Sequence, residues 1–94
     1  MSDARIINVP QRFDFGHHKD FNAQSQALLD DASCKKIIMD FSRTDYLDSS
    51  ALGMMVLLNK KAKKVNKTIS LRGARDNTKD ILIMANFNQL FPFE

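Results

Sequence analysis

Lys36-Ile-Ile-Met-Asp-Phe41 passes through Ser42-Arg-Thr-Asp-Tyr-Leu47 into Asp48-Ser-Ser-Ala-Leu-Gly-Met-Met-Val-Leu-Leu58, and the fold turns on this stretch. A nearly continuous apolar run of strand length, as at 36–41, is the pattern of a central strand covered on both faces or nearly so. The segment 42–47 reads as a polar loop. Ser49 or Ser50 then opens a helix that runs to about Val65. Its inward face holds Leu52, Met55 or Val56, Leu58 or Asn59, and Ala62. Its outward face holds Lys60, Lys63, Lys64 and Lys67.

Upstream, Arg5-Ile-Ile-Asn-Val9 reads as a short strand ended by Pro10, which removes a ladder donor. Gln11 to Gly16 is a turn leading into a helix from about Lys19 to Asp31. There Phe21, Ser25, Leu28, Leu29 and Ala32 share one face. Asp30 and Asp31 oppose the helix dipole at its C-terminal end, so the helix stops there. Downstream, Asn66-Lys67 ends the second helix and Thr68-Ile-Ser-Leu-Arg72 alternates as a strand. Asp76-Asn77-Thr78 offers N-caps for a third helix, Lys79 to Ala85, with Ile81, Leu82, Met84 and Ala85 apolar. Asn86 to Glu94 closes the chain with room for a short edge strand. The order is β-α-β-α-β-α, which implies right-handed crossovers and a mainly parallel sheet.

With 94 residues, 44% of them hydrophobic, and only three Gly and two Pro, the chain is one folded domain rather than a disordered segment. The longest apolar run, Ala51 to Leu58, falls far short of the roughly 20 residues of a membrane span. The N-terminus lacks the apolar core of a secretory signal. The single cysteine, Cys34, has no internal partner. These features predict a cytoplasmic domain. The net charge of +3 hides an asymmetry: residues 1–48 carry −2, residues 49–75 carry +7 with no acid, and residues 76–94 carry −2. A nucleic-acid binder usually spreads its basic surface more widely.

The phosphate-binding, nucleophile-elbow and zinc-protease motifs are missing, and no catalytic, cofactor or metal site is expected. His17 and His18 would point about 100° apart on a helix and do not form a metal pair. They read as surface or helix-start residues, Cys34 as structural, and Met54, Met55 and Met84 as core filler rather than adaptable binding surface. The lysine stripe is either a solvated face or a patch that steers an acidic partner or nucleic acid. No aromatic residue lies among these lysines to stack on bases. Tyr46-Leu-Asp-Ser-Ser-Ala-Leu-Gly53 sits where a strand feeds a helix N-terminus, the place where ligands and partners gather in open α/β sheets. One cap needs one of Asp48, Ser49 and Ser50, yet three stand in a row. Either they serve as caps alone or they include a modifiable hydroxyl.

Tyr-Leu-Asp-Ser-Ser-Ala-Leu-Gly, after a strand ending Ile-Ile-Met-Asp-Phe and before a lysine-bearing helix, resembles the STAS domain of bacterial anti-sigma factor antagonists. The resemblance covers most of the chain. Arg12-Phe13-Asp14 is similar to the family's turn before the first helix, with Gln11 in place of the usual Gly. Asp80-Ile-Leu-Ile-Met-Ala-Asn-Phe87 is similar to the segment leading into its last strand. Ala51 stands where many members have a second Gly. The resemblance implies one STAS-like α/β domain over residues 1–94, without the usual C-terminal helix. Its sheet is mixed and mainly parallel, with helices packed mainly on one face.

The resemblance also implies a phosphoacceptor at Ser49 and a partner surface made of Asp14, Asp48, Ser49, Ser50, Ala51 and Met54. Unphosphorylated, such a protein binds an anti-sigma factor, often itself a serine kinase, and so frees a sigma factor. Phosphorylation ends the binding, and a PP2C-type phosphatase restores it. The protein is then a phosphoprotein in a transcriptional partner switch, not an enzyme, and needs no cofactor, nucleic acid or membrane. One alternative is the STAS subunit of a lipid-transport ABC complex, although such subunits generally carry Thr-Gly after the motif aspartate. The other is a small basic nucleic-acid-binding domain. Phe87, Leu90, Phe91 and Phe93 are expected either to fold back on the core or to mediate weak self-association.

Overall fold

A computed structural model describes residues 3–94. Three parallel strands, β1 (Ala4–Asn8), β3 (Lys36–Asp40) and β5 (Thr68–Arg72), form a sheet in the order β1-β3-β5. Two further two-residue strands, β2 (Arg12–Phe13) and β4 (Tyr46–Leu47), pair in parallel beside it. The helices are α1 (His18–Asp30), α2 (Ser49–Lys64) and α3 (Asp76–Met84), with 3-10 turns at Phe15–His17 and Phe87–Gln89. Every strand pairing among the described residues is parallel, in keeping with the expected mainly parallel sheet.

The sheet has one packed face. Strand register aligns Ile7 with Met39 and Leu71, and places Ile37 beside Ile69. These five side chains join Phe21 and Leu29 of α1, Met55, Leu58 and Ala62 of α2, and Leu82 of α3 in one core. The other face is open at Ile6, which is 46% exposed, while Ile38 and Ser70 are buried outside that core. Ion pairs lie on this second face: Arg72 Nε to Asp40 Oδ2 at 3.0 Å, and Lys36 Nζ to Glu94 Oε2 at 2.6 Å. Glu94 also accepts a hydrogen bond from Ser70 Oγ at 2.5 Å. The helices therefore pack on one face, and side chains rather than a helix screen the other face of β3.

The C-terminal aromatics fold back. Phe87 and Phe91 are buried with their rings tilted against each other at 5.4 Å, while Leu90 stays exposed. The edge strand at the end of the chain is a single bridge, Leu71 to Phe93.

Three expectations change. Lys67 is not on the outward face of α2. Asn66 takes a left-handed conformation (φ 59°), with Lys67 N donating to Ala62 O and Asn66 N to Lys63 O. This turn leaves the helical phase and swings Lys67 inward. Its Nζ, buried, donates to the carbonyls of Leu28, Leu29 and Asp31 at 2.7, 2.8 and 2.7 Å. The ammonium thus offsets the unfavourable acidic end of α1. The second change is at α3, which begins at Asp76, so the proposed caps lie inside its first turn. Thr78 Oγ1 instead donates to Thr44 O at 3.0 Å, and Thr44 Oγ1 donates to Pro10 O at 2.9 Å. Met84, read as core filler, is 82% exposed.

Candidate functional site

The buried Thr78–Thr44 hydrogen bond and the partly buried Thr44–Pro10 one hold the segment after Pro10 against the segment after Phe41. Gln11 O accepts from Asp45 N at 2.9 Å, and β2 then pairs with β4, Arg12 beside Tyr46 and Phe13 beside Leu47. Phe13 and Leu47 point into the core while Arg12 and Tyr46 point out. Asp48 N donates to Phe13 O, so the turn at Asp14 and the head of α2 come to lie side by side.

At the head of α2, Asp48 is the N-cap. Its backbone is extended and its Oδ1 accepts from Ala51 N at 2.9 Å. Ser49 and Ser50 occupy the first two helical positions, both exposed, and neither hydroxyl has a hydrogen-bond partner among the described residues. Ala51 is buried in the core, so it gives the surface nothing beyond its engaged N–H. Met54 is half-buried one turn along, and Met55 is fully buried. The site therefore presents two free hydroxyls on a helix whose capping is already provided by the aspartate.

Asp14 caps the neighbouring 3-10 turn. It accepts from Gly16 N at 3.0 Å, from Arg12 Nε at 3.1 Å, and pairs with His17 Nδ1 at 3.3 Å. Partial desolvation pushes its carboxyl up, but hydrogen bonds from Gly16, His17 and Arg12 together outweigh that and hold it below the ordinary value. It is a carboxylate at neutral pH. The Arg12 guanidinium also lies 4.2 Å from the centroid of the Tyr46 ring. Phe15, 59% exposed, stacks on His18 at 4.2 Å, and His18 Nδ1 lies 2.8 Å from Phe15 O.

The structure brings the turn at Asp14 beside Asp48, the cap that precedes Ser49 and Ser50, across more than thirty residues of sequence. Sequence reading missed Arg12, Phe15 and Tyr46 as part of this surface. The two-residue strands that place them are too short to show periodicity. The sole available signal was two solvent-facing aromatics in turn segments. Cys34 is buried, as expected of a structural thiol.

The family described as Mlab, STAS domain matches residues 2–92, and the chain belongs to the STAS domain family. A STAS-domain containing protein of Pseudomonas aeruginosa is 39% identical over 85 residues, which span 90% of this chain and 82% of that protein. Among solved structures, a Thermotoga maritima protein assigned as an anti-sigma factor antagonist superposes with a TM-score of 0.85 at 18% identity, covering 99% of this chain and 80% of that one. A sulfate transporter family protein from Wolinella succinogenes gives 0.77 at 18% identity over 93% and 70% of the two chains. The Bacillus cell fate determinant SpoIIAA in its phosphorylated form gives 0.75 at 14% identity over 100% and 85%. At these identities the structural likenesses show a shared fold. No helix among the described residues is long and apolar enough to cross a membrane.

Proposed function

We propose that this STAS domain is an anti-sigma factor antagonist whose docking is switched by phosphorylation of Ser49. The observation that carries the reading is the exposed, unpartnered Ser49 hydroxyl on a helix already capped by Asp48. A kinase can then reach and modify Ser49 without removing a cap. Two of the similar folds bear on the same reading: one is assigned as an anti-sigma factor antagonist, and SpoIIAA is described in a phosphorylated form.

The dephosphorylated face, made of Asp14, Asp48, Ser49, Ser50 and Met54, binds the anti-sigma factor in the cytoplasm and frees a sigma factor. A serine kinase, in many systems the anti-sigma factor itself, closes the switch, and a PP2C-type phosphatase reopens it. The domain acts as substrate and binding partner, not as catalyst. A phosphate here adds about −1.5 to −2 charge beside Asp48. Attraction to the helix N-terminus and repulsion from the carboxylate oppose each other, so the change falls on docking rather than on the fold.

The test is mass spectrometry of the protein after incubation with its kinase. Phosphate on Ser49 supports the reading; phosphate confined to another residue overturns it. A second reading, the STAS subunit of a transport complex, is favoured by the Mlab description of the family and by the sulfate transporter family fold. Co-purification with an ATPase and a permease would decide for it.

A further inference from the structure

We propose that Arg12 is the internal receptor for a phosphate on Ser49, exchanging Asp14 and the Tyr46 ring for the phosphoryl oxygens. This deepens, and rests on, the assignment of Ser49 as phosphoacceptor. Arg12 sits beside Tyr46 in a parallel pair. Its side chain runs forward along β2 to place Nε 3.1 Å from Asp14 Oδ2. Because β2 and β4 are parallel, forward along β2 is also toward Ser49. Neighbouring strands are about 4.8 Å apart, and the three residues from Tyr46 to Ser49 advance at most roughly 10 Å. An extended arginine and a phosphoserine together bridge that span.

Electrostatics favours the exchange. Within residues 12–14 and 46–52, Arg12 is the only cation and Asp14 and Asp48 are the acids. The two terminal nitrogens of the guanidinium make no hydrogen bond among the described residues. A guanidinium matches a phosphoryl group with two parallel hydrogen bonds, and the phosphate carries more charge than the carboxylate it displaces. The exchange also changes what a partner meets. Arg12 is withdrawn from the outward face, and Asp14 loses one of its three donors. Phosphorylation then makes the surface more negative at two places rather than one.

The test uses the full chain with phosphoserine installed at position 49 during translation, so its result does not depend on which residue a kinase selects. Phosphorus NMR follows the second ionisation of the phosphate against pH in the wild type, Arg12→Gln and Arg12→Lys. The titratable groups of this corner are Asp14 and Tyr46, both against Arg12, His17, paired with Asp14, and Asp48, next to Ser49 in the chain; His17→Gln serves as the control for the imidazole beside Asp14. Arg12→Gln is expected to raise the phosphate pKa by roughly one unit, with Arg12→Lys between the two. Arg12 has a side chain 66% exposed, so neither change threatens the fold. Tyr46, the sole tyrosine in a chain without tryptophan, reports the departure of the guanidinium. Its ring resonances should move on phosphorylation in the wild type and stay put in Arg12→Gln. Coincident titrations of wild type and Arg12→Gln, or an unmoved Tyr46 ring in phosphorylated wild type, would overturn the proposal.

Discussion

Asp48 Oδ1 accepts the Ala51 N–H at 2.9 Å, which makes the aspartate, and not either serine that follows it, the cap of α2. The two tasks the Asp-Ser-Ser run offers are thereby separated. One residue secures the helix, and the hydroxyls beside it stay free for chemistry.

This separation predicts a split in stability. Asp48→Ala should destabilise the domain by about 1 kcal/mol, the usual cost of a lost N-cap. Ser49→Ala and Ser50→Ala should each lie within about 0.5 kcal/mol of the wild type. Urea denaturation of the three variants checks this. A loss at Ser49→Ala as large as that at Asp48→Ala would return the capping role to the serine.

Lys67 offers a second stability test. Its ammonium answers three carbonyls at the end of α1, a helix that finishes on Asp30 with Asp31 beside it. Lys67→Met keeps most of the stem but strands those acceptors, and should cost about 2–3 kcal/mol. Lys64→Met, on the exposed side of α2, should change stability by less than about 0.5 kcal/mol. Equal midpoints for the two variants in chemical denaturation would contradict the inward placement of Lys67.

Asp40 predicts the response to acid. Hydrogen bonds from the Ser42 hydroxyl and Ser42 N–H, with Arg72 beside it, hold its carboxyl below the ordinary 3.8. A lowered folded-state pKa contributes stability that is present above the unfolded value and is lost as pH falls through the folded one. The urea midpoint should therefore decline as pH drops below about 3.8. Asp40→Asn should be less stable at neutral pH and show a shallower decline. The same corner constrains Gly73, whose φ is +75° and where a Cβ would meet Ser42 Oγ at 2.5 Å. An identical acid profile for Asp40→Asn and wild type would remove Asp40 from the account.

Most of the fold was legible because its long elements carry clear periods. Thr68–Arg72 is a strand as read, and Met55, Leu58 and Ala62 line the inner face of α2. Legibility failed where a single residue left its regular conformation. Asn66 in the left-handed region changes the direction of Lys67, and helical phase counting has no means of registering that. It failed again where pairing is tertiary. Arg12 and Tyr46 meet because Thr44 is tied to both Pro10 and Thr78, bonds between segments far apart in sequence. The Asp-Ser-Ser run was visible in sequence, but its proximity to Asp14 was not, since that depends on two-residue strands.

The last prediction concerns the switch itself. Ser49 faces solvent between Asp48 and Ser50, and the neighbouring turn carries Asp14 as a carboxylate. An interface placed over this face must dehydrate whatever charge it meets. A charge left unpaired there costs roughly 2–5 kcal/mol. Ser49→Asp places a single negative charge at the helix head, where the fold tolerates it because helix N-termini favour acids. It should fold with a wild-type melting profile yet bind the anti-sigma factor at least tenfold more weakly, about 1.4 kcal/mol. Ser49→Ala should bind like the unmodified protein and remain bound when kinase and ATP are added. Ser50→Ala should leave both phosphorylation and its effect on binding largely intact. Calorimetry of these variants and of Ser50→Asp against the partner, with mass spectrometry for the phosphate, measures all of this. Equal affinity of wild type and Ser49→Asp would remove Ser49 from the switch, whereas equal loss from Ser50→Asp would widen the site to both hydroxyls.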